Sequence, residues 1–132
     1  PPPRPRETWT FEGQVYDILT LRPVFGATLK FEAQSGETAE AETDERGRYQ
    51  AKVPALKVGS YSVQVEHSDS IRRYFDEIDP PFRELELAER KALQKLVARQ
   101  RPWLGAKGRK QRRDLVLGPP LHTIQMTDGP AP

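Results

Sequence analysis

From Thr8 to Tyr16 the chain alternates, with Trp9, Phe11, Gly13 and Val15 on one side and Thr10, Glu12 and Gln14 on the other. A period of two is that of a strand with one buried face. Pro23 then removes a ladder donor, so a loop through Arg22-Pro23 is expected. Ala27 to Ala33 alternates again, with Ala27, Leu29, Phe31 and Ala33 inward, and Ser35-Gly36 reads as a turn. Thr38 to Thr43 is a weaker, polar strand that suits a sheet edge. Thr43-Asp44-Glu45-Arg46-Gly47 carries tight-turn chemistry: Asp44 can accept bonds from amides ahead of it, and Gly47 tolerates positive φ. Tyr49, Ala51 and Val53 alternate up to Pro54, and Tyr61, Val63 and Val65 alternate after Gly59. Five short strands separated by turn signals predict an antiparallel sandwich or barrel.

The pattern changes after Ser70. Within Ile71 to Arg83, Pro80-Pro81 forbids regular structure across them. From Leu85 to Gln100, the apolar residues Leu85, Ala88, Ala92, Leu93, Leu96 and Val97 fall at helical spacing. Glu84, Glu86 and Glu89 lie early and Lys95 and Arg99 late, in keeping with the helix dipole, and Pro102 ends the run. An alternative divides this stretch into a strand over Arg83 to Leu87 and a shorter helix from Ala88. Gly105 to Arg113 reads as a flexible loop and Asp114 to Leu117 as a final strand, stopped by Gly118-Pro119-Pro120. The expected organisation is a Pro-rich linker over 1–7, a sandwich over 8–118 with a helix-bearing insertion at 71–113, and a tail or linker over 119–132.

Composition adds the following. Apolar residues make up 36% of the 132, low for a compact globule, which fits solvated ends. The Pro-rich opening and the missing initiator Met lead to the expectation of a piece of a longer polypeptide. No stretch approaches the ~20 apolar residues of a membrane span. With no cysteine, disulfides, thiolate metal sites and cysteine nucleophiles are excluded.

Charge is unevenly spread. The net charge is +2, yet Arg99, Arg101, Lys107, Arg109, Lys110, Arg112 and Arg113 crowd into residues 99–113 without an acid, leaving a net −5 elsewhere. This strip, with Trp103 inside it, is the candidate partner surface. It suits a protein partner or an anionic polymer, and Trp103 would stack on a base or anchor at an anionic membrane. The plain alternative is a solvated loop offsetting the acidic body.

Catalytic patterns are nearly absent. His67 and His122 have no metal-ligand spacing, and His67 beside Ser68-Asp69-Ser70 does not by proximity make a triad. Asp76, Glu77 and Asp79 lack the central glycine of a calcium loop. Asp44 and Gly47 are accounted for as structural turn residues. No catalytic residue, metal or cofactor is therefore expected.

Three motifs carry a resemblance. Gly13-Gln14-Val15-Tyr16-Asp17 with Pro23-Val24-Phe25-Gly26-Ala27-Thr28-Leu29, then Thr43-Asp44-Glu45-Arg46-Gly47-Arg48-Tyr49, then Gly59-Ser60-Tyr61-Ser62-Val63-Gln64-Val65 resemble the opening, turn and strand of carboxypeptidase regulatory-like domains. The likeness covers about residues 9–67, with Leu115 to Leu117 as a last strand; about 43 residues between Ser70 and Asp114 depart from it. It implies a seven-stranded, antiparallel, Ig-like or transthyretin-like (prealbumin-like) sandwich, to which the periodicity adds one helix in the insertion. It also implies a non-catalytic interaction or scaffold module of a larger, bacterial envelope-associated protein, periplasmic or surface-exposed. The expected partner is another protein or other domains of the parent chain. A polyanion (nucleic acid or anionic membrane) on the basic strip is the first alternative. A carbohydrate platform of Tyr74, Phe75 and Trp103 is the second, because such accessory domains serve polysaccharide-acting enzymes.

Overall fold

The alternating segments form strands whose ends lie within two residues of those the pattern suggests. A computed structural model describes residues 7–67, 70–77, 81–93, 101–105 and 109–120. The chain is mainly β, with two sheets of five and three strands and one short helix, in a sandwich-like arrangement. The strands are β1 (Thr8–Asp17), β2 (Thr28–Ala33), β3 (Thr38–Glu42), β4 (Arg48–Pro54), β5 (Tyr61–His67), β6 (Ser70–Asp76), β7 (Lys110–Arg112) and β8 (Leu115–Pro120), with α1 (Leu87–Leu93) between β6 and β7.

The larger sheet has the order β3-β2-β5-β6-β8, all neighbours antiparallel, with β3 at its edge. In the smaller sheet β1 is central, antiparallel to β4 and parallel to β7. β1 belongs to both sheets: its first half pairs with β7, and Val15, Tyr16 and Asp17 pair in parallel with Leu115, Val116 and Leu117 of β8. The expected seven-stranded, all-antiparallel sandwich is therefore corrected: the described residues form eight strands, with two parallel pairings. The sheets separate beside Gly13, where a Cβ would lie 2.0 Å from the Arg113 carbonyl oxygen. Gln14 N donates to Asp114 Oδ1 at 2.8 Å across the same break.

The inward residues of both sheets make one core: Phe11, Val15, Leu29, Phe31, Ala51, Val53, Tyr61, Val63, Val65, Leu115 and Leu117 are buried together. The β3–β4 turn forms as its chemistry requires. Gly47 N donates to Asp44 O at 2.9 Å, and Asp44 Oδ1 accepts from Arg46 N and Arg48 N, both at 2.9 Å. These amides hold the Asp44 carboxyl below the ordinary range, the Arg48 bond contributing most. Gly47 has φ +71°, and its Cβ position is 2.4 Å from Val15 O.

The expected insertion at 71–113 is part of the fold. It supplies β6 between β5 and β8, Trp103 to the core and β7 to the smaller sheet. Three further expectations are corrected. Arg83 to Leu87 is no strand; a 3-10 turn spans Phe82–Glu84, and α1 begins at Leu87. Ala88 and Ala92 are exposed, while Arg90 is buried, donating to the Ile18, Leu19 and Leu85 carbonyls. β8 continues through Pro119 to Pro120, opposite Arg72, instead of ending at Leu117. Leu96 and Val97 lie outside the described residues. The 3-10 turn and α1 cover the outer side of the β6-β8-β1 region, where Phe82 is buried with Tyr16, Ile18 and Val116, and Leu85 and Leu93 pack alongside. This third layer leaves the outer side of β3-β2-β5 uncovered by that segment.

Candidate functional site

The basic strip divides into an inner and an outer part. Its inner part is structural. Trp103 is fully buried and joined to β5 by reciprocal backbone bonds with Tyr61, both 3.1 Å. Its ring meets Phe11 and Phe31 edge to face at centroid separations of 5.2 and 5.4 Å, and its Nε1 donates to Tyr74 Oη at 3.1 Å. An indole in such a setting contributes on the order of 5 kcal/mol of gross transfer free energy. The expectation of Trp103 as an exposed stacking or membrane anchor is thereby corrected. The carbohydrate platform fails with it, because Tyr74 is also buried.

Arg113 completes this cluster. Its guanidinium lies 3.9 Å above the Trp103 ring centroid, and its Nη2 donates to Asp76 Oδ1 and Oδ2 at 2.7 and 2.9 Å. Nη1 donates to the Pro102 carbonyl at 3.2 Å, and the Arg113 carbonyl accepts from Tyr49 Oη at 2.7 Å. Burial pushes the Tyr49 hydroxyl well above the ordinary tyrosine range, with the Arg113 charge opposing the shift. Arg101, at the surface, approaches Asp76 Oδ2 to 3.7 Å. Asp76, from the acidic group Asp76, Glu77 and Asp79, is 9% exposed and serves as the counter-ion of Arg113.

The outer part belongs to a basic sheet face. Strand alternation turns Lys110 and Arg112 of β7 outward, beside Thr10 and Glu12 of β1. On the other side of β1, Thr10, Glu12 and Gln14 stand opposite Lys52, Gln50 and Arg48 of β4. Three rows result, Lys52–Thr10–Lys110, Gln50–Glu12–Arg112 and Arg48–Gln14, carrying four exposed cations around one carboxylate, Glu12. Arg112 contacts Asp114 at 3.4 Å, whereas Arg48, Lys52 and Lys110 have no ion pair among the described residues. Arg109, immediately before β7, is exposed. A shallow depression of about 450 Å³ lies here, lined by Glu12, Gln14, Asp44, Arg48, Gln50 and Arg112. Arg99 and Lys107 lie outside the described residues.

Arg48 and Lys52 were missed by a search for linear charge runs. Their signal was the outward phase of β4, but only the pairing of β4 with β1 places them beside Lys110 and Arg112. Among the described residues, no group of three or more His, Asp and Glu side chains is arranged to hold a metal, and no helix is long and apolar enough to cross a membrane. His67 Nε2 lies 3.1 Å from the Phe25 carbonyl, a structural contact; Ser68, Asp69, Asp79 and His122 lie outside the described residues. No family model, curated protein or solved structure matches the chain.

Proposed function

We propose that this chain is a non-catalytic interaction or scaffold module whose docking surface is the outer face of the smaller sheet. The observation that carries this reading is the row arrangement of Arg48, Lys52, Lys110 and Arg112, exposed on paired strands with Glu12 among them and Asp44 and Asp114 at the border. Sheet backbone fixes the spacing of these groups, so a partner meets a preset pattern of charge. The rest of the paired outward positions are Thr10, Gln14 and Gln50, with no aromatic group among the described residues of these rows to stack on a base, which favours an acidic protein surface over single-stranded nucleic acid. The three motifs over residues 9–67 support placing the module with the carboxypeptidase regulatory-like domains, and through that likeness in a bacterial envelope-associated protein.

Binding to poly-L-glutamate, followed against salt, tests the reading. The wild-type chain binds at low ionic strength and loses affinity steeply as salt rises. Combined Lys52→Gln, Lys110→Gln and Arg112→Gln substitution removes most of that binding with the fold intact. Equal binding by the variant overturns the assignment of this face.

A further inference from the structure

The opposite side of the sandwich carries the reverse charge. On the outer side of β3-β2-β5, Glu42 and Glu66 flank Thr28, Glu40 and Gln64 flank Lys30, and Thr38 and Ser62 flank Glu32. This face holds four carboxylates and one cation, against four cations and one carboxylate on the smaller sheet. Lys30 is occupied by Glu66 at 3.1 Å, while Glu32, Glu40 and Glu42 are exposed and have no ion pair among the described residues.

Along the strands, both sets of charges follow the two-residue repeat of outward positions. Lys110 and Arg112 are two residues apart on one strand, as are Glu40 and Glu42, which gives about 7 Å in each case. Arg48 and Lys52 lie four residues apart on β4, about 13 Å, whereas Glu32 on β2 and Glu42 on β3 lie on neighbouring strands, offset along them by the same four residues. Both faces are sheet surfaces bearing long side chains.

We infer that the partner of the basic face is a second copy of this chain, presenting its β3-β2-β5 face. This rests on the docking-face reading above and adds the identity of the occupant. Two different patches meet in such a contact, so the interface is heterologous: it propagates head to tail, and it ends in a ring only if the rotation closes. Interactions between exposed charges fade beyond a Debye length, so the assembly is concentration-dependent and dissolves with salt.

Sedimentation velocity on the 132-residue chain tests the inference, comparing ionic strengths of about 0.01 M and about 1 M, where the Debye length falls from about 30 Å to about 3 Å. The wild type is expected to grow beyond dimer with concentration at low salt, and its association constant to fall at least about tenfold at high salt. One variant, Lys52→Gln/Lys110→Gln/Arg112→Gln, retains the acidic face; a second, Glu32→Gln/Glu40→Gln/Glu42→Gln, retains the basic face. Each alone is monomeric. Their equimolar mixture forms a one-to-one complex and nothing larger, because each partner has one working face. A wild type that stays monomeric at low salt overturns the inference, as does a mixture without a complex. If the monomeric wild type still binds poly-L-glutamate through Lys52, Lys110 and Arg112, self-docking fails and the docking face stands.

Discussion

The two sides of the smaller sheet use the same residue types for opposite ends. On the inner side, Arg113 is held over the Trp103 ring, with Asp76 taking up its donors and Tyr49 fixing its backbone. On the outer side, Arg112, the adjacent residue, is largely exposed, with one 3.4 Å contact to Asp114. Strand alternation sends neighbours to opposite faces, so a basic run cannot act as one unit once part of it enters a sheet. A positive segment in a β-rich chain is therefore to be divided by phase before it is read as a binding strip.

Substitutions on the two sides sharpen the contrast. The largest effect is expected at Trp103, where truncation leaves a cavity bordered by Phe11, Phe31 and Tyr74 and strips Tyr74 Oη of its donor. Trp103→Ala is expected to cost about 3–5 kcal/mol in urea unfolding. A midpoint unchanged from wild type would move Trp103 out of the core. Gly47→Val comes next. The left-handed φ and the 2.4 Å approach to Val15 O lead to an expected loss of about 2 kcal/mol or more, read from the shift in melting temperature.

Smaller effects belong to the surface. Asp44 has a depressed folded pKa, so its contribution to stability is present above its unfolded value near 3.8 and is lost as pH falls through the folded value. Asp44→Asn keeps an oxygen for the turn amides but removes the titration. Its stability should therefore fall less steeply than wild type below about pH 4, measured as urea midpoints across the acid range. Smallest of all is the joint change Lys52→Gln/Lys110→Gln, expected to alter stability by less than about 0.5 kcal/mol in the same unfolding assay.

The first half of the chain was legible because each of its strands carries its own alternation and turn chemistry. Trp9 to Val15, Leu29 to Ala33 and Tyr49 to Val53 bury the side that their period predicts, and the Asp44–Gly47 turn needs no distant partner. The second half depends on non-local pairing. β6 reads Ser-Ile-Arg-Arg-Tyr-Phe-Asp, and a register shift between Arg72 and Tyr74 interrupts its pairing with β8. Its cations hide an alternation that Tyr74 inward and Phe75 toward the helical layer still follow. β7 is three residues of Lys, Gln and Arg, with no apolar period to read. Trp103 and Arg113 were singled out for their chemistry, yet their burial follows from partners at Phe11, Phe31 and Asp76 that are far away in sequence.

The adjacent pair Arg112 and Arg113 offers the most direct test of this division. Each is replaced by Gln, and every variant is measured for urea unfolding and for low-salt binding to poly-L-glutamate. Arg113→Gln leaves Asp76 without its buried partner and is expected to lose about 2 kcal/mol, below the full penalty of a completely buried pair because both groups keep some exposure. Under conditions where it remains folded, its binding should match wild type. Arg112→Gln should stay within about 0.5 kcal/mol of wild-type stability and bind several-fold more weakly. The reverse assignment, with Arg113 controlling binding and Arg112 controlling stability, would contradict the account.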